Sequence, residues 1–234
     1  MKKIWCVSDG DELLSVLRRV NVRVPDRAEG RTKEHTERYA IARLLSTIPH
    51  ELEFPFMLVH DDRPDFIIVS ISSRIGIEHS EIVPENVARA SFLRSKGHGP
   101  EVYFLPHAKY GEDRRTAQQI KSEIELDELG SGWIGDGPER GTAEAIVGFA
   151  QRKVESSQKL GYRIFDRNWL LLENNWPAPA LDIYKSVSFA HPGLVEHRVF
   201  EIFKYVFVET DSDIAILSAD SFSVVPLVNP GVEV

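Results

Sequence analysis

Three strand-like segments crowded into one short stretch constrain this chain more than any other feature. They are EFPFMLVH at 53–60, PDFIIVS at 64–70 and SRIGIEHSEIV at 73–83. The last two are joined by Ile71–Ser73, a length suited to a hairpin loop. A hairpin makes its two strands antiparallel, so a purely parallel sheet is excluded. Alternation along these runs places Asp65, Ile67 and Val69 on one face of their strand. On the next strand it groups Gly76, Glu78 and Ser80, with Ile75, Ile77 and His79 opposite.

Helical periodicity surrounds this block. GDELLSVLRRV carries Leu13, Leu14, Leu17 and Val20 on one stripe. EHTERYAIARLLSTI repeats Ile41, Leu44, Leu45 and Ile48 at helical spacing and stops before Pro49. After the strands, PENVARASFLRSKG reads as a helix ending at Gly97, EVYFLP as a short strand, and TAQQIKSEIELDELG as a helix between Thr116 and Gly130. GSGWIGDGPERG reads as a loop, GTAEAIVGFAQRKVESSQKLG as a long helix, and NWLLLENNW as a buried strand closed by Pro177 and Pro179. The final third gives a helix around VEHRVFEIF and two strands, YVFVE and DIAILS. Strands interleaved with helices in this order imply an α/β fold, a central mixed sheet flanked by helices. We divide the chain into an N-terminal extension (1–30), a core (31–180) and a C-terminal helix with strands packed on that core (181–234).

Composition narrows the classes. Of 234 residues 42% are hydrophobic and 27% charged, the profile of a globular protein with a sizeable core. One cysteine, Cys6, cannot build a disulfide framework, and no apolar run approaches the roughly 20 residues that span a bilayer. The two lysines of MKKIWCVSDGDELL resemble a signal n-region, but Asp9, Asp11 and Glu12 interrupt any apolar segment behind them, so a cytoplasmic location is expected. A net charge of −8 argues against a simple nucleic-acid coat protein. Residues 161–234, with 5 basic and 10 acidic side chains, carry most of that excess, which leaves room for a basic groove in the earlier part. Gly130-Ser131-Gly132-Trp133-Ile134-Gly135 spells GxGxxG, but a helix rather than a strand precedes it, so we reject it as a dinucleotide fingerprint. No HxxxH, CxxC or GxSxG spacing points to zinc or a serine nucleophile. Trp169 and Trp176 flank a core-like strand and read as packing before base stacking.

The chemistry-bearing candidates are carboxylates. Pro64 stiffens the entry to its strand, and Asp65 stands at the strand's mouth, where packing does not require it. As a turn residue it would also be ordinary there. Glu78 interrupts Ile75-Gly76-Ile77, a run that otherwise reads as core; a buried carboxylate is costly unless paired or metal-bound, although an edge-strand glutamate in water is the plain alternative. In a hairpin the two acids would lie near one end of neighbouring strands, where a divalent cation preferring oxygen would relieve their repulsion. Gly76 on the same face is expected to leave room for a ligand. Glu37 and Glu34 extend the apolar stripe of their helix toward its N-terminal end, where carboxylates ordinarily just complement the helix dipole.

On these residues the chain resembles the PD-(D/E)xK superfamily, the restriction-endonuclease-like nucleases. Pro64-Asp65 matches the family's first acid, Glu78-His79-Ser80 its acid-x-lysine triplet, and Glu37, with Glu34 as second choice, its helical glutamate. IGIEHSE is especially similar to a bacterial branch with Ser or Thr at the lysine position. The likeness covers roughly residues 31–175 and rests on short motifs held in a matching order of elements. It implies a restriction-endonuclease-like fold and a metal-dependent nuclease, with Asp65, Glu78 and the backbone carbonyl of His79 holding Mg²⁺ or Mn²⁺ and Glu37 acting directly or through a water. Ser80 departs from the pattern. The missing basic group then has to come from the following helix, where Lys153 is the candidate and Gln151 and Lys159 are its neighbours; a lysine on such a helix ordinarily just faces solvent. Nucleic acid, DNA foremost, is the implied partner, contacted by Arg63, Arg89, Arg94 and Lys96, and pairing of two chains is implied for double-strand cleavage. The competing expectation is a module that kept the fold, lost hydrolysis, and binds nucleic acid or protein.

Overall fold

The structure is a computed structural model, and it describes residues 2–26, 29–100, 108–126, 134–178 and 180–230. Eight strands form one mixed sheet in sequence order. They are β1 (Lys2–Val7), β2 (Phe56–His60), β3 (Phe66–Ser70), β4 (Arg74–Ile82), β5 (Arg167–Asn174), β6 (Tyr205–Glu209), β7 (Asp213–Leu217) and β8 (Phe222–Pro226). β1 to β4 pair antiparallel, β4–β5 and β5–β6 parallel, and β6 to β8 antiparallel again. The helices are α1 (Gly10–Arg19), α2 (Lys33–Thr47), α3 (Glu85–Ser95), α4 (Ala117–Leu126), α5 (Gly137–Ser157) and α6 (Ile183–Glu196). The sheet therefore runs through the N-terminal extension, the core and the C-terminal segment alike. Among the described residues no helix is long and apolar enough to cross a membrane.

Alternation along the strands builds two cores. Ile75 and Ile77 of β4 and Trp169 and Leu171 of β5 pack with Leu13 and Leu17 of α1 and Ile41, Leu44 and Leu45 of α2. The intervening Leu170 and Leu172 face the other way, against Ala145, Ile146 and Ala150 of α5 and Val187, Ala190 and Leu194 of α6. β5 is covered on both faces, which is why NWLLLEN reads as a continuous apolar run. A small cluster of Ala90, Leu93, Ile120 and Ile124 joins α3 to α4.

Local signals explain most boundaries. Asp9 caps α1 by accepting the Glu12 amide, and Gly97 follows α3 at φ +85°, a conformation that favours glycine. The helical reading of VEHRVFEIF is corrected. The helix is α6, which starts from the Asp182 cap upstream and contains Pro192; left-handed Arg198 then stops it, and only a 3₁₀ turn, Val199–Glu201, follows. Pro192 and Gly193 look like breakers in sequence, yet Gly193 lets α6 press against Val147 of α5. GSGWIGDGPERG is also not wholly a loop, since α5 already begins at Gly137 with Pro138 in its first turn. β1 and β8 went unrecognised in the sequence because each is an exposed edge strand with little apolar alternation. EVYFLP and the stretch from 127 to 133, which includes most of GxGxxG, lie outside the described residues.

Candidate active site

The β3–β4 register decides where the two acids meet. Phe66 pairs with Ile77 and Ile67 with Gly76, so one step further Asp65 falls opposite Glu78. Directly opposed residues of an antiparallel pair share a face. Both are buried, Asp65 at 1% and Glu78 at 7% exposure.

Asp65 is held from two sides. Its Oδ2 accepts the His79 backbone N–H at 2.8 Å, and its Oδ1 lies 2.7 Å from Lys33 Nζ. Lys33 opens α2, and the same ammonium stands 2.7 Å from Oε1 of buried Glu37 one turn along. Glu37 Oε2 in turn lies 3.0 Å from His60 Nε2 at the end of β2. Glu78 has a separate pair of donors: Lys153 Nζ of α5 at 2.7 Å from Oε1, and the Tyr162 hydroxyl at 3.2 Å from Oε2.

These contacts push the two carboxyls apart electrostatically. Burial opposes ionisation of Asp65, but Lys33, the His79 amide and Lys153 outweigh it and hold the group below the usual aspartate value. Glu78 goes the other way: burial and then the neighbouring Asp65 charge raise it, and Lys153 and Tyr162 only moderate the rise. Lys33 and Tyr162 both bind their protons more firmly than usual. Lys33 does so because its carboxylate partners outweigh its desolvation, Tyr162 because of burial and the Glu78 charge. Two acids with separated ionisation, beside a lysine, form the type of arrangement that supports proton handling at a reacting centre.

The structure thus brings Asp65, Glu78 and Lys153 together, and Glu37, on α2 at the other face of the sheet, is linked to Asp65 only through Lys33. Among the described residues no three His, Cys, Asp or Glu side chains converge as a metal-holding group. Glu34 does not join them; it is half-exposed and pairs with Lys2 and Arg38. Nor do the neighbours of Lys153. Lys159 is exposed, and Gln151 lines a different hollow with Tyr110 and Arg140. The His79 ring turns to the opposite face of the sheet. The expectation that Gly76 leaves space for a ligand is overturned, since a Cβ there would meet Phe165, Asn168 and Pro64 at 2.8–3.0 Å. That glycine admits the chain's own side chains. Arg63 is exposed beside Asp62, Arg89 is engaged by Glu85 and the Arg115 carbonyl, Arg94 bonds the Pro100 carbonyl, and Lys96 stacks on Phe92. Trp169 and Trp176 are both core residues.

Three contributors escaped the sequence reading. Lys33 had a usable signal, lying four residues before Glu37 at the spacing of a helical ion pair. His60 and Tyr162 had none, because only folding carries the end of β2 and the loop after α5 to the acids.

Behind the site, on the opposite face of the sheet, lies a second acidic cluster. Glu173 and Glu209 are register partners at the ends of β5 and β6, and the His79 ring stands 3.4 Å from Glu173 Oε2. Neither Glu209 oxygen has a hydrogen-bond partner, and burial raises its carboxyl well above the ordinary glutamate value. Arg43 of α2 lies close enough to offset this, but it spends its hydrogen bonds on the Thr210 and Asp211 carbonyls.

Against known proteins, the chain matches no family model, no curated protein and no solved structure.

Proposed function

We propose that this protein is a metal-dependent phosphodiesterase acting on nucleic acid, with the restriction-endonuclease-like resemblance of its motifs as the guide to reaction class. The observation that carries the reading is the 2.7 Å contact of Lys153 Nζ with Glu78, opposite Asp65. A lysine from the following helix fills the role that Ser80 leaves vacant in the motif.

The donor chemistry suits a hard divalent ion. Asp65 and Glu78 offer only oxygen, and Glu37 Oε1 is a further buried oxygen 2.7 Å from the Lys33 ammonium. Mg²⁺ is commonly held by one or two carboxylates, with water and substrate phosphate completing its shell. Asp65, Glu78 and the His79 carbonyl would hold Mg²⁺ or Mn²⁺, which supplies charge stabilisation at the phosphate and a more acidic bound water. The chain's own groups do the rest. The His79 amide keeps Asp65 oriented and ionised. Tyr162 fixes the Glu78 carboxyl, and the Lys153 ammonium offsets charge that grows on the phosphoryl oxygens. Lys33, whose side chain is 68% exposed, is free to swing away from Asp65 and Glu37 when another cation enters.

A second reading has its own support. Lys33 and Lys153 already neutralise the carboxylates, as they would in a module that binds nucleic acid or a protein partner without cutting it. Incubation with plasmid, single-stranded DNA and RNA in Mg²⁺ or Mn²⁺ separates the two. Hydrolysis by the wild type that disappears in both Asp65→Ala and Glu78→Ala supports the enzyme. Binding without hydrolysis supports the module, and cleavage persisting equally in both variants refutes the assigned site.

A further inference from the structure

Beside Lys153 a cavity of about 540 Å³ opens along α5, within the range of about 300–1,000 Å³ typical of ligand pockets. Its lining includes Ser80 and Lys153, the latter bonded to Glu78 of the acid pair, together with Lys109, Tyr110, Phe149 and Arg152. Two aromatic rings, Tyr110 and Phe149, meet there at 5.7 Å between centroids, tilted by 46°, and the Arg152 guanidinium lies over both, 4.1 Å from Phe149 and 5.5 Å from Tyr110.

Charge and backbone both show a built wall. Two acids also line the cavity, but Glu85 is paired with Arg114 at 2.8 Å and Glu112 with Arg115 at 2.7 Å. Among the described residues Arg152 and Lys109 have no ion-pair partner, so the surplus charge facing the cavity is positive. Gly148 sits inside α5, where glycine is unfavourable, and a Cβ there would run into the Tyr110 ring. The helix thus gives up stability at the one position that lets Tyr110 lie against it.

We propose that this cavity receives the unpaired nucleotide next to the scissile phosphate, its base on Tyr110 and Phe149 and its phosphate on Arg152 and Lys109, making single-stranded nucleic acid the substrate class. A base inside a duplex is stacked on both faces and cannot offer one to an aromatic wall, whereas a single strand can. The inference rests on the phosphodiesterase reading for the nature of its ligand, because the cavity adjoins Lys153.

Binding of labelled thymidine and uridine oligonucleotides and of a blunt duplex, measured by fluorescence anisotropy with divalent ions chelated, tests it. The single strands should bind at least about ten-fold more tightly than the duplex. Phe149→Ala and Arg152→Ala should each weaken single-strand binding by about ten-fold and leave duplex binding unchanged. The ratio of thymidine to uridine affinity tells DNA from RNA preference. Should Phe149→Ala not fold, exposed Arg152 and the ring-displacing Gly148→Ala decide the matter. Equal affinity for both forms, no binding of either, or indifference to the wall substitutions overturns the proposal. Cleavage that depends on Asp65 but ignores the wall would sink the subsite alone, while discriminating binding with no cleavage would sink the phosphodiesterase alone.

Discussion

Glu78 and His79 are neighbours on β4, and the pleat sends them into two very different acidic regions. On the Glu78 side the carboxylates of Asp65 and Glu78 are buried but each is met by a cation, and Lys33, which bridges Asp65 to Glu37 of α2, reaches solvent. On the His79 side Glu173 and Glu209 are sealed between sheet and α2, with three carboxylate oxygens lacking a hydrogen bond. Both regions concentrate acid, but only the first combines charge with access. A charged group next to an opening can act on a ligand, whereas a sealed one without a hydrogen bond, as Glu209 is, lowers its desolvation cost by keeping a proton. The closed cluster therefore reads as part of the wall that holds β4, and through the His79 amide Asp65, in place.

The largest effect that would break this contrast is in catalysis. On the proposed phosphodiesterase reading, Lys153→Met should lower the cleavage rate by about 10²–10³-fold, the range for losing one preorganised group that stabilises developing charge, with the folded structure retained. Initial rates beside circular dichroism measure both, and a drop in folding with full specific activity would put Lys153 among the merely structural residues.

A smaller effect, and one of stability alone, is expected from the closed cluster. Glu209 has a folded value raised above its unfolded one, so its contribution is fully present below the ordinary glutamate range and is lost as pH rises through the folded value. Glu209→Gln cannot ionise. Its melting temperature should gain on the wild type as pH rises through that window, at about 2–4 °C for each kcal/mol. Thermal melts across pH measure this, and two parallel curves would mean that Glu209 is ionised in the native state. Smallest of all, Glu34→Ala should leave both stability and cleavage essentially unchanged, because its ion pairs are solvent-exposed and screened. Denaturant titration checks it, and a large loss would move the boundary of the site outward to Glu34.

What was legible in the sequence follows from how local each signal is. Hydrophobic alternation and a three-residue connection defined the β3–β4 hairpin, and a hairpin's register already fixes which residues face each other. The hairpin therefore sets Asp65 and Glu78 near one end of neighbouring strands, whereas Lys153, on a helix far along the chain, enters only through what the family resemblance implies. Where periodicity was interrupted the reading failed: Pro192 and Gly193 hid α6, and the exposed edges β1 and β8 lacked an apolar pattern.

The sequence by itself determined the α/β class, the antiparallel hairpin and the acids it carries, since these depend on neighbours a few residues apart. Tertiary structure alone decided that Lys33 bridges Asp65 to Glu37, that Tyr162 and Lys153 share Glu78, that the gap at Gly76 is filled from within, and that Glu173 and Glu209 stand side by side. Those outcomes depend on helices being pressed onto a sheet from far along the chain, where the balance of burial against charge pairing is set by packing and has no local signature.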